Sequence, residues 1–171
     1  MIVEEQSLVI SWFLMKSPEE LTELFRSTGR KVTAQRQCVF RVLQGDVTHP
    51  SAETVHALVS AEMETISLKT VYQTLYDLAE LGEIVSLDVG TGMTRFDPNT
   101  DDLHHHLVCR RCGSVRDLVA DFPQLCIPEG AELGFEVGSA EIVFRGLCPD
   151  CRSAAAPEQT SGRRQTQRSR P

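Results

Sequence analysis

Two cysteine pairs, Cys109/Cys112 and Cys148/Cys151, constrain this chain more than any other feature of its sequence. Two residues separate the thiols of each pair, a spacing at which a tight turn can present both sulfurs to one tetrahedral ion. Four thiolates fill a structural zinc shell, so residues 113 to 147 must leave the first pair and return to it. The zinc then pins the two ends of a small β-domain, and its binding free energy contributes directly to folding. A redox pair, or unrelated buried cysteines, would account less well for two matching pairs. Cys38 and Cys126 stand alone and read as small buried residues.

Reduced thiols imply a cytoplasmic setting, and the N-terminus agrees. The apolar run "LVISWFLM" follows Glu4 and Glu5 instead of a basic stretch, is followed by no small-residue cleavage site, and is too short to cross a bilayer. Residues 1–17 therefore read as an extension, either an extra amphipathic segment or sequence upstream of a start at Met15.

If sulfur completes the zinc shell, the histidines of "DDLHHHLVC" are left over. Strand alternation sends His104 and His106 to one face and His105 to the other, which makes the first two a chelating pair. Imidazoles with carboxylates suit Fe(II), Mn(II) or Zn(II) better than a thiolate-preferring metal. The same spacing also describes three exposed polar histidines ahead of a zinc knuckle.

Residues 18 to 82 read as helices. Ser17, Thr33, Ser51 and Ser67 are N-caps, Pro18 takes a first helical position, and Gly29, Gly45 and Gly82 mark stops. Apolar stripes run through Val39, Phe40 and Leu43, then Val55, Leu58 and Val59, then Leu68, Val71, Leu75 and Leu78. "EIVSLDVGTGMTRFD" reads as a hairpin turning at Gly90, Thr91 and Gly92. Helices followed by a hairpin make a winged helix-turn-helix, and equally a small helical domain with a solvated basic face. Short strands rich in Val, Leu, Ile and Phe follow beyond Asp97.

A net charge of −7 argues mildly against a nucleic-acid partner, but its distribution argues for one. Arg26, Arg30, Lys31, Arg36 and Arg41 fall in a stretch without an acid. After Cys151 the tail carries Arg152, Arg163, Arg164, Arg168 and Arg170 against Glu158 alone, with no apolar pattern, and reads as disordered.

"KVTAQRQCVFRVL", "HPSAETVH", "SLKTVYQTLYDLAELGEIV", "TRFD" and "HHHLVCRRCG…CPDC" occur in the order seen in the ferric uptake regulator (Fur) family, which the chain resembles over about residues 18 to 152. The resemblance implies an α+β protein: a winged-helix DNA-binding domain at 18–97, a small α/β dimerisation and metal-binding domain at 98–152, and a tail at 153–171. It implies a homodimeric repressor acting on a palindromic operator in double-stranded DNA, not an enzyme and not a membrane protein. The pattern is nearest to the peroxide-sensing branch, the PerR and actinobacterial FurA/CatR type. Carried over position by position, the regulatory Fe(II) or Mn(II) ligands are His49, Asp97, His104, His106 and Asp117, beside structural zinc on Cys109, Cys112, Cys148 and Cys151. One residue is inserted between Asp97 and His104 relative to the familiar peroxide-sensor pattern.

Asp117 stands where iron-sensing relatives generally carry glutamate and peroxide sensors aspartate. The resemblance implies oxidation of His49 or His104 as the signal, with catalase-peroxidase and other antioxidant genes as targets. It assigns DNA contacts to Lys31 and Tyr72, and the face of the last helix away from its apolar stripe adds Lys69, Thr70 and Gln73, the last at a position often arginine in relatives. Asp77 is expected on the same outward face, and Tyr76 in the core. Rival readings are an iron- or manganese-supply repressor of the same fold, a thiol switch at the four cysteines, and a non-haem iron oxygenase.

Overall fold

The computed structural model describes residues 15–90, 92–100, 104–123, 127–128, 130–138 and 140–154. Thr91 of the expected turn, Asp101 and Asp102, Cys126, residues 1–14 of the N-terminal extension and the tail beyond 154 lie outside the described residues.

Four helices come first: α1 (Pro18–Ser27), α2 (Ala34–Leu43), α3 (Ala52–Glu62) and α4 (Leu68–Glu80). Each starts where a short polar side chain accepts a backbone N–H. Ser17 accepts from Glu20 in a capping box, Thr33 from Arg36, Ser51 from Thr54 and Ser67 from Thr70. Such a cap stabilises its helix by about 1 kcal/mol. Helices α1 and α4 stop at glycines with φ of 73°, where Arg30 N–H closes on Phe25 O (2.7 Å) and Glu83 N–H on Leu78 O (3.0 Å).

The helices enclose one core of Leu21, Phe25, Val39, Phe40, Leu43, Val55, Val59, Val71, Leu75 and Leu78, with Phe25 and Phe40 edge-on at 4.9 Å. Met15 also packs there, so the described end of the N-terminal extension belongs to the helical core. Two expected core positions lie outside it. Leu58 is half exposed, and Leu68, in the first turn of α4, is 36% exposed. Helical spacing names a face but not what packs against it, and Leu68 sits in the first turn of α4, at the edge of the core.

The hairpin follows as β1 (Val85–Leu87) and β2 (Arg95–Asp97), antiparallel with Val85 opposite Asp97. A second sheet has the order β4-β3-β5, formed by β3 (His105–Cys109), β4 (Val115–Leu118) and β5 (Val143–Gly146), and α5 (Pro149–Ser153) closes the described chain. β3 pairs antiparallel with β4 and parallel with β5. Leu87 and Val89 from the hairpin pack with Val108 and Val115 of this sheet in a second small core. The chain is thus α+β, a winged helix joined to a three-stranded sheet. Among the described residues no helix is long and apolar enough to cross a membrane.

Candidate metal centres

The four cysteines meet as their spacing predicts. Cys109 ends β3, Cys112 lies in the turn before β4, and Cys148 and Cys151 belong to the start of α5. Their sulfurs all lie within 4.8 Å of one another. Backbone N–H groups point at the sulfurs: Cys148 N–H reaches Cys109 Sγ at 3.4 Å, and Cys151 N–H reaches Cys148 Sγ at 3.5 Å. Backbone N–H donors from Cys112, Cys148 and Arg111 bring the Cys109 thiol down to about 6. Burial, then the hydrogen bonds to Cys148, Cys112 and Cys109, push Cys151 up to about 12. One thiolate therefore forms readily while its neighbour resists, and four together require a cation. The donor set fits tetrahedral zinc. Cys38 is buried as expected, its Sγ 3.5 Å from Glu62 Oε2.

The second cluster draws on distant parts of the sequence. His49 comes from the loop between α2 and α3, Asp97 from the end of β2, His106 from β3 and Asp117 from β4; their ligand atoms also lie within 4.8 Å of one another. His104, just before β3, joins them. Asp97 Oδ2 is the centre: the Nε2 atoms of His104, His49 and His106 approach it at 3.0, 3.2 and 3.3 Å. All five residues assigned by resemblance are therefore brought together. Alternation places His104 and His106 side by side, and His105 turns instead toward Phe122.

Burial and charge suit this cluster to a cation. His49 Nε2 also lies 2.7 Å from Asp117 Oδ1, yet neither atom has a well-directed hydrogen-bond partner, and both are sealed from solvent. Buried polar atoms without partners cost about 1–3 kcal/mol each, and a metal ion between them removes that cost. His49 is moreover held at φ 52°, a left-handed conformation uncommon outside glycine and typical of functional strain.

Burial opposes a proton on His49, but the carboxylates of Asp117 and Asp97 outweigh it and raise its pKa to about 9. Burial likewise opposes ionisation of Asp97, and contacts with His106 and His49 nonetheless hold it well below the usual carboxylate range. A cleft of about 120 Å³, lined by Val85, Leu87, Asp97, His104, His106 and Glu141 among others, leads to the imidazoles.

Two supporting residues escaped the sequence reading. Asn99 Nδ2 donates to Asp117 Oδ2 at 3.0 Å, while Asn99 N–H donates to Asp97 Oδ1 at 2.8 Å. The Asx-like turn "DPN" was the available signal for Asn99. His106 Nδ1 lies 2.8 Å from Glu141 Oε1. Only the parallel pairing of β3 and β5 reveals Glu141, and no local motif encodes that pairing.

On the helical side Lys31, Lys69 and Gln73 are exposed, and Thr70 and Tyr72 are half-buried. Tyr72 Oη donates to Glu53 at 2.7 Å. Two expectations are corrected. Asp77 is buried and pairs with Arg36 at 2.7 Å, also accepting from Gln73, because the basic start of α2 packs over it. Tyr76 is 47% exposed, stacked on Tyr72 and edge-on to Phe96, because the hairpin only partly covers α4.

Residues 27–144 match the family model of the ferric uptake regulator family. The chain belongs to that family. The peroxide-responsive repressor PerR of Staphylococcus aureus is 31% identical over 137 residues, which cover 78% of this chain and 90% of that protein. The ferric uptake regulator of Vibrio cholerae superimposes with a TM-score of 0.62 at 26% identity, over 75% of this chain and 99% of that one. That of Helicobacter pylori gives 0.66 at 21% identity over 84% and 99%, a likeness of fold alone. Family members are metal-responsive transcriptional repressors, and this chain has two clusters of donors able to hold a metal ion.

Proposed function

We propose that this chain is a homodimeric repressor that grips a palindromic operator when its His/Asp cluster holds Fe(II) or Mn(II), and lets go when hydrogen peroxide oxidises a ligand histidine. One observation carries the reading: His49, Asp97, His104, His106 and Asp117 converge from a helical loop, the wing and the C-terminal sheet. A cation bound there ties residues 18–97 to residues 98–152, and favours whichever arrangement brings all five donors within reach. Zinc on Cys109, Cys112, Cys148 and Cys151 would fix the sheet that supplies His106 and Asp117 and that His104 leads into.

An ion held by these five donors would have room for a further ligand, and the cleft beside His104 and His106 admits a molecule the size of peroxide. Fe(II) held by these residues would activate peroxide, which Mn(II) would do poorly; the net change is one peroxide oxygen added to an imidazole carbon and the other released as water. His49 and His104 are the rings that take up oxygen. An oxidised ring no longer offers Nε2 to the cluster, so the tie between the two parts fails and operator binding is lost. Asp117, together with the 31% identity to a peroxide-responsive repressor, supports this over metal-supply sensing.

DNA contacts fall to Lys31, Lys69, Thr70, Tyr72 and Gln73, on the exposed side of α4 and the turn ahead of α2. Exposed Leu107, Phe144, Leu147, Phe135 and Val137 give the C-terminal part an apolar surface suited to a second copy of the chain. The likeness to the Vibrio cholerae ferric uptake regulator supports a second reading, an iron- or manganese-supply repressor without peroxide chemistry.

The test is peptide mass spectrometry of Fe(II)- and Mn(II)-loaded protein after stoichiometric peroxide, alongside operator gel shifts. One added oxygen on His49 or His104 with iron alone, and loss of DNA binding, is the expected result. Unmodified histidines with DNA binding retained would leave the metal-supply reading. Oxidised cysteines with zinc released would leave a thiol switch.

A further inference from the structure

Metal-ligating histidines work best when the second ring nitrogen is held, because that fixes both the tautomer and the direction of the donor nitrogen. The three imidazoles of the cluster differ in this respect. His49 Nδ1 is buried and has no hydrogen-bond partner. His106, by contrast, has Glu141 Oε1 2.8 Å from Nδ1, while its Nε2 faces Asp97. His106 is almost fully buried, whereas the Glu141 side chain is 46% exposed, so the carboxylate reaches inward from the mouth of the cleft.

The backbone explains how it gets there. In the parallel register His106 lies opposite Val143, and His106 N–H donates to Ile142 O at 3.0 Å. That places residue 141, just before β5, beside the ring. β5 leads directly to Cys148 and Cys151, so the strand anchored by the cysteine cluster also carries the group that orients a histidine of the other cluster.

We propose that Glu141 is a positioning residue for the regulatory metal: it holds His106 as the Nδ1–H tautomer, with the Nε2 lone pair directed into the cluster. The inference rests on the His/Asp cluster being a metal site, as proposed above. Glutamate performs this task through its acceptor oxygen, so glutamine at the same position largely preserves it and alanine abolishes it. Losing such a partner typically weakens metal binding about 10- to 100-fold.

The test uses the full-length, zinc-filled protein and the Glu141→Ala and Glu141→Gln variants. Mn(II) affinity is measured by electron paramagnetic resonance, and the His106 tautomer by ¹⁵N NMR of the manganese-free protein at alkaline pH, where the ring is neutral. Zinc content and thermal midpoint report whether each variant is folded. The expected result is Mn(II) affinity at least 10-fold weaker and a mixed tautomer in Glu141→Ala, with Glu141→Gln close to wild type in both. Wild-type affinity and tautomer in Glu141→Ala would overturn the proposal. So would a Glu141→Gln variant that keeps the tautomer but binds as weakly as Glu141→Ala, because charge and not orientation would then be responsible. Failure of the wild-type protein itself to bind Mn(II) would refute the metal site, an outcome distinguishable from either.

Discussion

Raising the pH from 7 to 9 should loosen the metal-free protein and tighten its hold on Mn(II), two opposite trends for which His49 sets the minimum size. The His49 pKa is raised to about 9 in the folded chain, against burial, by Asp117 and Asp97. A histidine whose folded value exceeds its unfolded one adds stability that is complete below the unfolded value, near 6.5, and lost as the pH rises through the folded value. Between pH 7 and 9 that loss is about 2 kcal/mol, or a fall of roughly 4–8 °C in the melting temperature of a chain this size. His106 is raised as well, against burial, by Asp97 and Glu141, and adds to the loss in the same direction. Asp97 and Asp117 are held below their usual range and do not change across this window. Metal demands the neutral ring. At pH 7 a proton must leave His49 for each ion bound, and relief of that competition by pH 9 raises apparent affinity roughly 50-fold. The assay is calorimetric titration of Mn(II) into zinc-filled protein in two buffers of different ionisation enthalpy, paired with melting curves with and without Mn(II). Release of no proton at pH 7, together with a metal-free melting temperature flat between pH 7 and 9, would refute the reasoning.

Other perturbations separate the remaining parts. Cys148→Ser should lose zinc and with it the β4-β3-β5 sheet, read as sub-stoichiometric zinc by atomic absorption and lost strand signal in circular dichroism, while α1 to α4 persist. Asp77→Ala should strand the largely buried Arg36 guanidinium, whose Nη1 already lacks a partner. The expected cost is about 3 kcal/mol of stability in urea titrations, with intact metal affinity. Asp117→Glu pushes the carboxylate one methylene further toward His49, against a present separation of 2.7 Å. Oxygen uptake by the histidines, followed by mass spectrometry, should then slow by something on the order of 100-fold while Mn(II) still binds.

What the sequence disclosed follows the range of the interactions. The caps at Ser17, Thr33, Ser51 and Ser67 are three-residue events, and each lies where local chemistry puts it. The cysteine pairs were legible because a tetrahedral ion imposes the same short spacing twice. The ligand set of the second cluster was reached by resemblance and not by spacing: 48 positions separate His49 from Asp97 in the chain, and nothing local joins them. Glu141 was invisible because its role depends on a parallel pairing between strands far apart in sequence. Leu58 and Asp77 were misjudged for one reason. Helical periodicity names a face but not what lies opposite it, and a basic helix start covers Asp77 while, among the described residues, Leu58 stays half exposed.

The geometry also indicates which parts a metal can move. His49 and Asp97 belong to one body, since Phe96 N–H donates to Pro50 O at 3.0 Å and Ser51 bridges to Arg95. His106 and Asp117 face each other across one antiparallel pair. The variable is therefore the join between these two bodies, and metal is not alone in holding it. Arg95 Nη2 donates to Gly113 O at 2.9 Å beside the cysteine knuckle, Arg145 Nη2 donates to Val89 O at 3.2 Å, and Leu87 and Val89 pack on Val108 and Val115. Hydrogen bonds from charged donors contribute about 1.5–3 kcal/mol each. Moving an equilibrium from 1:99 to 99:1 takes about 5.5 kcal/mol of differential binding. On the proposed function these contacts share the join with the metal, so a cation need supply only part of the differential binding.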